Sequence, residues 1–438
     1  MAVLEMTEAK TYMKFSAPAL LLLALLSSGC SRNSGAQHDK ITYWSSNNTD
    51  EITFAEMIVN QWNSGQSGPV VHVQPVPEGQ SSEEVILAAA VGNTTPDIYS
   101  NMWQGDVEFY ARSGRLVPLD TIPGFLQFIY ERCDSAVVKE ITSDDGHIYQ
   151  VPWKINPIMI IYNERIFSEA GYNIPPPTYD GFFEAARRMK DRNIWIGYSE
   201  VIVTWWQRLF DFYPFYLAAS NGGKLVDGNR IVFNNEYAVR TFGFLKTLYD
   251  NGYMPRERIS AQQDPFLSGV IATRFTGPWE IVHAEKFKPD GFKYSYAPLP
   301  VPGSSDSIIN KQDISYTYGD TKNIVIFNTC RNINAAWNFI KLMLNSKNEL
   351  LLLKTTAQLP RRKDLESNPE FIEFFRNNPK MQPFARQARF VRGPDNCPVL
   401  KEIFDIISQE YEACVIYGRK TPGQAVKDAA DAAQLLLK

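Results

Sequence analysis

The chain has 438 residues, of which 44% are hydrophobic and 21% are charged, and its formal net charge is −4 at pH 7. A mildly acidic chain without a polybasic stretch lacks the electrostatic footprint of a nucleic-acid-binding protein, so no nucleic-acid partner is expected. The length exceeds what one hydrophobic core usually supports and predicts two or more domains.

The segment Met13–Cys30 has the layout of an export signal. A lysine precedes the apolar run Ala17–Leu26, which is followed by small residues. A run of about 10 residues is too short to cross a membrane, which takes about 20. The ending Leu26-Ser27-Ser28-Gly29-Cys30 resembles the bacterial lipobox. We therefore expect residues 1–29 to be removed and Cys30 to carry lipid, with an ordinary cleaved signal as the alternative.

The sequence around this signal leaves two questions open. Residues 1–12 are charged in a way that is unusual for a signal, so translation could begin at Met13 rather than Met1. Residues 30–39 are polar and show no periodicity, which predicts a flexible leash between the lipid and the folded chain. The protein would then be tethered to a membrane of the cell envelope, facing the periplasm or the exterior.

Apart from Cys30, the sequence holds an even number of cysteines in a compartment that can be oxidising. These are Cys133, Cys330, Cys397 and Cys414. Disulfides and unpaired thiols are equally compatible with their spacing. No C-x-x-C pair is present and the four histidines are scattered, so neither a metal site nor a cofactor is predicted.

Strands and helices alternate in the first part of the mature chain. The predicted elements are the strand Ile41–Trp44, a helix capped by Thr49 with Phe54, Ile58 and Trp62 on one face, the strand Val70–Val76, a helix opened by the capping box of Ser81 and Glu84, and the strand Asp97–Tyr99. This alternation predicts βαβ units and a mostly parallel sheet.

The later elements follow similar signals. They are the strands Gly146–Trp153 and Pro157–Tyr162, helices capped by Thr178 and Asn235, the strand Asn323–Phe327, a helix capped by Asn334, and a last helix opened by the capping box Thr421–Gln424. No segment reads as a linker between domains. We therefore expect the chain to cross between two domains more than once, which produces a hinge and a cleft.

Short motifs along the mature chain occur in a characteristic order. They are Thr95–Tyr99, Gly114–Asp120, Asp145–Trp153, Ile161–Glu164, Phe167–Tyr172, Pro177–Tyr179, Gly222–Leu225, Asn235–Tyr253, Phe275–Trp279 and Tyr417–Pro422. Together they resemble bacterial extracellular solute-binding proteins of the sugar-binding, maltose-binding-like type, which serve ABC importers.

The resemblance implies an α/β, two-lobed periplasmic-binding-protein fold of the class II type, in which each lobe has a mixed, mostly parallel sheet flanked by helices. Lobe one would hold residues 40–153 and 314–353, and lobe two residues 154–313 and 354–438. It further implies a non-catalytic monomer that binds a small carbohydrate between the lobes and delivers it to permease subunits.

A sugar ring has an apolar C–H face and hydroxyl edges, so its site needs aromatic platforms among a few polar side chains. The resemblance implies that Trp279, after the turn Gly277-Pro278, stacks on sugar. Trp44, Asn47 and Asn48 follow the first strand, at a carboxyl end where open α/β sheets bind ligands. Turn formation is the alternative role of the two asparagines.

Asn101, Trp103 and Gln104 follow the third strand and match positions that often contact sugar in the resembled family. Related proteins often carry an acidic residue where this chain has Gln104, and an ordinary loop is the alternative. Trp153 and Asn156 lie at the predicted crossing between lobes, where Trp153 could face the cleft or pack in the hinge.

Three further candidates come from the remaining cleft segments. Trp206 lies in the aromatic-rich stretch Trp205–Tyr216, whose density is also typical of a core. Gly319 and Arg361 belong to loops that the resemblance places at the cleft.

Three other functions use different features. The same fold could bind a sugar phosphate or another anion through Arg274, Arg361 and Arg362. A secreted glycosidase would need two carboxylates about 5–10 Å apart, yet none of the 48 acidic residues stands in a diagnostic motif. A surface adhesin on the same scaffold would bind a host protein and would not close.

Overall fold

A computed structural model of the chain describes residues 40–65, 68–78, 81–201, 204–260, 262–303 and 315–438. The expected signal segment, the start at Met13, the lipid attachment at Cys30 and the leash lie outside the described residues. The expected lobe boundary at 313 and 314 lies mostly outside them as well.

The strands form two main sheets. They are β1 Lys40–Ser45, β2 Val70–Pro75, β3 Ile98–Trp103, β4 Val151–Lys154, β5 Met159–Asn163, β6 Val226–Asp227, β7 Arg230–Ile231, β8 Thr273–Thr276, β9 Tyr294–Ala297, β10 Thr317–Tyr318, β11 Lys322–Ile326 and β12 Val391–Arg392. The first sheet has five strands in the order β2-β1-β3-β11-β4. We call this sheet, with the helices on it, the first lobe.

Helices cover the sheets and fill the second half of the chain. They are α1 Thr49–Gly65, α2 Ser82–Gly92, α3 Gln104–Arg112, α4 Phe125–Arg132, α5 Ser135–Ile141, α6 Glu164–Glu169, α7 Tyr179–Lys190, α8 Phe212–Ser220, α9 Glu236–Asp250, α10 Glu280–Phe287, α11 Ile333–Met343, α12 Ser346–Thr356, α13 Pro369–Asn377, α14 Gln382–Gln387, α15 Leu400–Tyr411 and α16 Pro422–Leu435. A π-helical turn, Glu412–Ile416, continues α15.

Strand direction differs between the two sheets. In the first lobe, β1 pairs in parallel with β2 and β3, whereas β11 runs antiparallel to β3 and β4. The second sheet has the order β8-β5-β9, and both outer strands are antiparallel to β5. We call this second sheet, with the helices on it, the second lobe. Its sheet departs from the expected mostly parallel arrangement, because β8 and β9 both run antiparallel to β5, the strand that follows the crossing from the first lobe.

Within the described residues, three segments connect the lobes. The first runs from Lys154 to Pro157, between β4 of one sheet and β5 of the other. The second runs from Tyr318, in β10, to Lys322, in β11. The third follows α12 and includes a backbone bridge between Lys154 and Pro360. The boundaries between the two discontinuous lobes stay predictions. One predicted boundary, after Leu353, falls inside α12.

Several helices begin where short polar side chains cap them, as the sequence indicated for Thr178, Asn235 and Thr421, whose side chains accept from backbone N–H groups three residues ahead. Two predicted caps are wrong. Asn48, not Thr49, caps α1, and Asn332, not Asn334, caps α11. In both cases an asparagine that comes earlier in the chain offers a side-chain oxygen to the first backbone N–H groups, so the helix starts sooner.

All four cysteines within the described residues are buried and free. This decides the open question between disulfides and thiols in favour of thiols for Cys133, Cys330, Cys397 and Cys414. Burial raises the pKa of each thiol, to about 12 at Cys330 and to about 11 at Cys397 and Cys414. Among the described residues, no helix has the length and apolar character needed to cross a membrane.

Candidate functional site

A cavity of about 340 Å³ lies where the first lobe meets the second. We call it the aromatic cleft. Its lining consists of four aromatic rings among polar and small side chains: Trp103, Trp205, Trp206, Phe210, Asn47, Pro77, Ser81, Ser82, Glu83, Leu209, Asp320 and Lys322. The size lies at the lower end of the range typical of ligand sites, which is about 300–1,000 Å³.

The parallel pairing of β1, β2 and β3 explains how the first lobe reaches this cavity. Carboxyl ends of parallel strands share one edge of the sheet, and ligands bind outside that edge. Asn47 follows β1 and is exposed, while Trp103 ends β3 and is only 1% exposed. The Trp103 indole Nε1 donates to the Tyr318 hydroxyl at 3.0 Å, which fixes the ring.

The second lobe contributes the opposite aromatic wall. The rings of Trp205 and Trp103 lie 4.9 Å apart at an interplanar angle of 42°, so aromatic contact joins the two lobes directly. Trp206 begins a short 3₁₀ turn and is 42% exposed, an unusual exposure for a ring of this size. An exposed tryptophan beside a cavity offers a flat apolar surface to a ligand.

The charged side chains of the cleft form one cluster. The Lys322 ammonium lies 3.7 Å from the Glu83 carboxylate and 3.8 Å from that of Asp320. Burial opposes ionisation of Glu83, but the Lys322 and Lys401 ammonium groups and hydrogen bonds to the carboxylate together outweigh it and lower the pKa of that carboxyl. Burial likewise opposes the charge of Lys322, yet Asp320 and Glu83 raise its pKa. Glu83 and Lys322 therefore both stay charged at neutral pH.

A second ion pair, between α3 and α15, lies close to this cluster. Lys401 on α15 lies 2.8 Å from the Asp106 carboxylate on α3, and its ammonium is 5.4 Å from the centre of the Trp205 ring. Burial raises the pKa of Asp106 to about 6, and the Lys401 ammonium offsets only part of that shift. The two lobes are therefore in contact through both rings and charges.

The remaining aromatic candidates lie near the cleft rather than along its lining. Trp279 caps the start of α10, covers Gly277 with its ring and meets Phe210 edge to face at 6.2 Å. Trp44 is half-buried and packs against the core beneath β3. Neither side chain is among the residues that line the cavity.

The asparagine candidates differ in their freedom to bind. Asn48 accepts hydrogen bonds from the backbone N–H groups of Asp50 and Glu51, so its side-chain oxygen is already used in turn formation. Asn101 is half-buried, and it forms a hydrogen bond with the Tyr99 side chain. Asn47, which lines the cavity, remains the asparagine best placed for a ligand.

Gln104 and Arg361 meet each other away from the aromatic cleft. The Arg361 guanidinium donates to Gln104 Oε1 at 3.0 Å and to Glu140 Oε1 at 2.8 Å, and Gln104 donates to the same Glu140 oxygen at 2.8 Å. Arg361 is 3% exposed and Gln104 is 1% exposed. These residues join the third crossing segment to the first lobe.

Trp153, Asn156 and Gly319 belong to the packed crossing region. Trp153 is 1% exposed in the core of the first lobe, with the Lys154 ammonium 4.4 Å from its ring centre. Asn156 donates to Gln358 Oε1 at 3.0 Å, which ties the first crossing to the third. A Cβ at Gly319 would lie 2.3 Å from a Val391 methyl group, so only glycine fits there.

Sequence reasoning missed the charged part of the cleft. Glu83 lies between the two residues of the predicted capping box, and Asp320 and Lys322 precede a predicted strand. A charged residue at a helix start or a strand start is ordinary, and only the fold brings these three together. Trp205 and Phe210, which belong to the aromatic stretch whose density is also typical of a core, both line the cavity.

One group of side chains has the composition of a metal site. Ligand atoms of Asp264, Glu280 and His283 lie within 4.8 Å of one another. The Arg274 guanidinium, however, lies 3.0 Å from the Asp264 carboxylate and 2.8 Å from that of Glu280. The protein's own cation therefore already neutralises these carboxylates.

Comparison with known proteins gives one matching family and several relatives. The family model for bacterial extracellular solute-binding proteins matches residues 58–383. The chain is 23% identical over 355 residues to the maltotriose-binding protein of Pyrococcus abyssi, covering 80% of this chain and 72% of that protein. It is 21% identical over 301 residues to the maltooligosaccharide ABC transporter solute-binding lipoprotein of Streptococcus pneumoniae R6, covering 64% and 66%.

Solved structures share the architecture. The uncharacterized protein lmo0859 of Listeria monocytogenes superposes with a TM-score of 0.80 at 26% identity, covering 91% of this chain and 100% of that one. The cyclic alpha-maltosyl-1,6-maltose binding protein of Arthrobacter globiformis gives 0.76 at 21% identity, covering 91% and 99%. These likenesses confirm the two-lobed periplasmic-binding-protein fold. Because this family model spans most of the chain, the chain belongs to the bacterial extracellular solute-binding proteins.

Proposed function

We propose that this chain is an extracytoplasmic receptor that binds a mono- or oligosaccharide in the aromatic cleft and delivers it to the permease subunits of an ABC importer. The observation that carries the proposal is the cleft itself, in which the rings of Trp103, Trp205, Trp206 and Phe210 surround one charged cluster. Aromatic faces suit the C–H face of a sugar, and carboxylates suit its hydroxyl groups.

The comparisons support the same ligand class. The relatives named above include a maltotriose-binding and a maltooligosaccharide-binding protein, and another structural neighbour is a cyclo/maltodextrin-binding protein seen with maltotetraose. Their identities to this chain are low, so they support carbohydrate as a class. An α-linked glucose oligosaccharide is the first ligand to test.

The mechanism follows from the two-sided lining. Trp103 and Glu83 come from the first lobe, whereas Trp206 and Phe210 come from the second. A ligand that contacts both lobes binds the closed arrangement better than an open one and therefore shifts the population toward it. The closed receptor is then the form that a permease can distinguish from the empty one.

The charges of the cleft favour a neutral sugar over a sugar phosphate. Its lining carries Glu83 and Asp320 against the single cation Lys322. Arg274 is paired with Asp264 and Glu280, and Arg361 lies outside this cavity. A phosphate placed here would meet a surplus of negative charge, which disfavours it.

Membrane attachment and the absence of catalysis complete the proposal. Lipid on Cys30, with residues 31–39 as the leash, would keep a monomeric receptor beside its importer, and the pneumococcal relative is named as a lipoprotein. We assign the cleft no reaction, because Glu83 and Asp320 are both held by Lys322. A glycosidase needs one carboxyl group to stay protonated as an acid.

A ligand screen tests the proposal. Thermal unfolding is measured with maltose, maltotriose, glucose 6-phosphate and a polyamine, followed by calorimetric titration of any ligand that shifts the melt. A ligand at 100 times its dissociation constant stabilises by about 2.7 kcal/mol, which is readily visible. We expect a neutral sugar to give the largest shift. A shift from the polyamine with none from any sugar would overturn the proposal, as would turnover of a sugar.

A further inference from the structure

A second cavity, of about 450 Å³, lies apart from the aromatic cleft, and we call it the basic cavity. Its walls include Val137 and Glu140 on α5 and Arg361 and Lys363 in the third crossing segment. Arg389, just before β12, and Arg392, in β12, complete them. The first lobe, the second lobe and a crossing segment therefore all contribute to it. None of its lining residues is shared with the aromatic cleft.

The lining of this cavity is unusually cationic for a chain with a net charge of −4. Five lining residues are basic, namely Arg361, Arg362, Lys363, Arg389 and Arg392, whereas three are acidic, namely Asp134, Glu140 and Glu366. Such a surplus attracts anions, and the attraction is stronger in a concave site than on an open surface.

Two of these cations are already neutralised by the protein. Arg361 is held by Gln104 and Glu140. Arg362 donates to both oxygens of Asp364, and it also pairs with Glu349. Their guanidinium groups build the wall of the cavity but have little capacity left for a ligand.

The other three cations are available. The half-buried Arg392 guanidinium makes no hydrogen bond or salt bridge with the residues that the structure describes, and it interacts electrostatically with the Asp395 carboxyl. The Lys363 ammonium donates to one acceptor, the Tyr130 carbonyl. Arg389 pairs with Glu366 at 3.0 Å, but its side chain is 67% exposed, and exposed pairs of this kind exchange partners at little cost.

We propose that the basic cavity is an anion-binding site, at which Arg392 and Lys363 hold the phosphate or carboxylate group of a small molecule. Guanidinium and ammonium groups form charge-assisted hydrogen bonds with both kinds of oxygen. Apolar side chains, including Val137, Leu365 and Val391, line the rest of the cavity and exclude water around the bound group. Arg389 is the third cation that can turn from Glu366 toward such a ligand.

Calorimetric titration of the purified chain with inorganic phosphate and with citrate tests this site. Sodium chloride keeps the ionic strength constant, and no sugar is present, so the result does not depend on the proposed function. We expect at least one anion to bind with a dissociation constant of about 1 mM or tighter. The two anions distinguish a site for phosphate from a site for carboxylate.

Three variants locate the binding. Arg392→Gln and Lys363→Gln should each weaken it by about tenfold or more, as expected for the loss of a charge-assisted hydrogen bond. Arg386→Gln is the matched control, because Arg386 is an exposed cation on α14 that lines a neighbouring groove instead. Its binding should equal that of the unsubstituted chain, and thermal unfolding should show that all three variants fold.

Two results would overturn the proposal. One is that neither anion binds. The other is that Arg386→Gln weakens binding as much as Arg392→Gln does, which would indicate general attraction to surface charge. Trp206→Ala, which alters the aromatic cleft alone, should leave anion binding unchanged, so a failure of this site is distinguishable from a failure of the sugar site.

Discussion

The Lys401 ammonium lies 2.8 Å from the Asp106 carboxylate and joins α15 to α3. Burial holds the pKa of Asp106 at about 6, above the ordinary value of about 3.9. The folded chain therefore binds more protons than the unfolded chain between about pH 4 and pH 6. The free energy of unfolding contributed by Asp106 is full below this window and is lost as the pH rises through it.

Asp106→Asn should remove this part of the pH dependence. Between pH 4 and pH 7, the free energy of unfolding of the unsubstituted chain, measured in urea, should decline. The decline should be smaller in the variant by up to about 3 kcal/mol. Burial likewise raises the pKa of the half-buried Asp395 to about 6, so part of the decline should remain. The same pH slope in both proteins would contradict the role given to Asp106.

The exposed Trp206 ring gives a direct test of sugar stacking. Trp206→Ala should weaken binding of the best sugar by about tenfold or more, because one aromatic platform of the cleft is lost. The melting temperature without sugar should stay nearly unchanged, since the side chain is 42% exposed. Calorimetric titration measures the affinity. Phe287→Ala is the control, because Phe287 is 56% exposed on α10 and outside the cleft, and an equal loss there would refute stacking.

Apolar spacing predicted much of the fold. Phe54, Ile58 and Trp62 are all 9% exposed or less, as a helix with one buried face requires. The capping residues were harder, because Asn48 and Thr49 both offer a side-chain oxygen, and only packing of the helix selects between them. Local sequence therefore predicted the elements well and their first residues less well.

The candidate site was only partly predictable. Asn47 and Trp103 line the cavity because the ends of parallel strands share an edge, and Trp206 lines it from a 3₁₀ turn, while their contact with a ligand stays a prediction. Trp153 is different: a tryptophan near a crossing can face the cleft or the core, and the burial pattern of β4 places it in the core. Pairs between distant segments, such as Glu83 with Lys322, leave no local signal in a sequence.

The four buried thiols predict a protein that is insensitive to reductant. In the chain without residues 1–39, a thiol reagent should label none of Cys133, Cys330, Cys397 and Cys414 while the protein is folded, because burial raises the pKa of each thiol and blocks access. All four should react after unfolding in denaturant. A melting temperature that drops on addition of reductant would instead reveal a disulfide.

Lys322 should be the side chain of the cleft on which folding depends most. Lys322→Met leaves the carboxylates of Glu83 and Asp320 without their cation, although their side chains are only 16% and 22% exposed. Breaking a buried charge cluster in this way should lower the free energy of unfolding at pH 7 by about 3 kcal/mol. Lys322→Arg, which keeps the charge, should lose much less.

The free energy of unfolding that is lost in Lys322→Met should also depend on pH. Lys322 lowers the pKa of Glu83 in the folded chain, so the stability that Glu83 contributes is present above its unfolded pKa of about 4.3 and is lost as the pH falls. That contribution is missing in Lys322→Met. Urea unfolding should therefore show the largest difference between the two proteins at pH 7 and a smaller one at pH 3.5. A difference that is equal at both values would mean that Lys322 stabilises the fold by packing rather than by its charge.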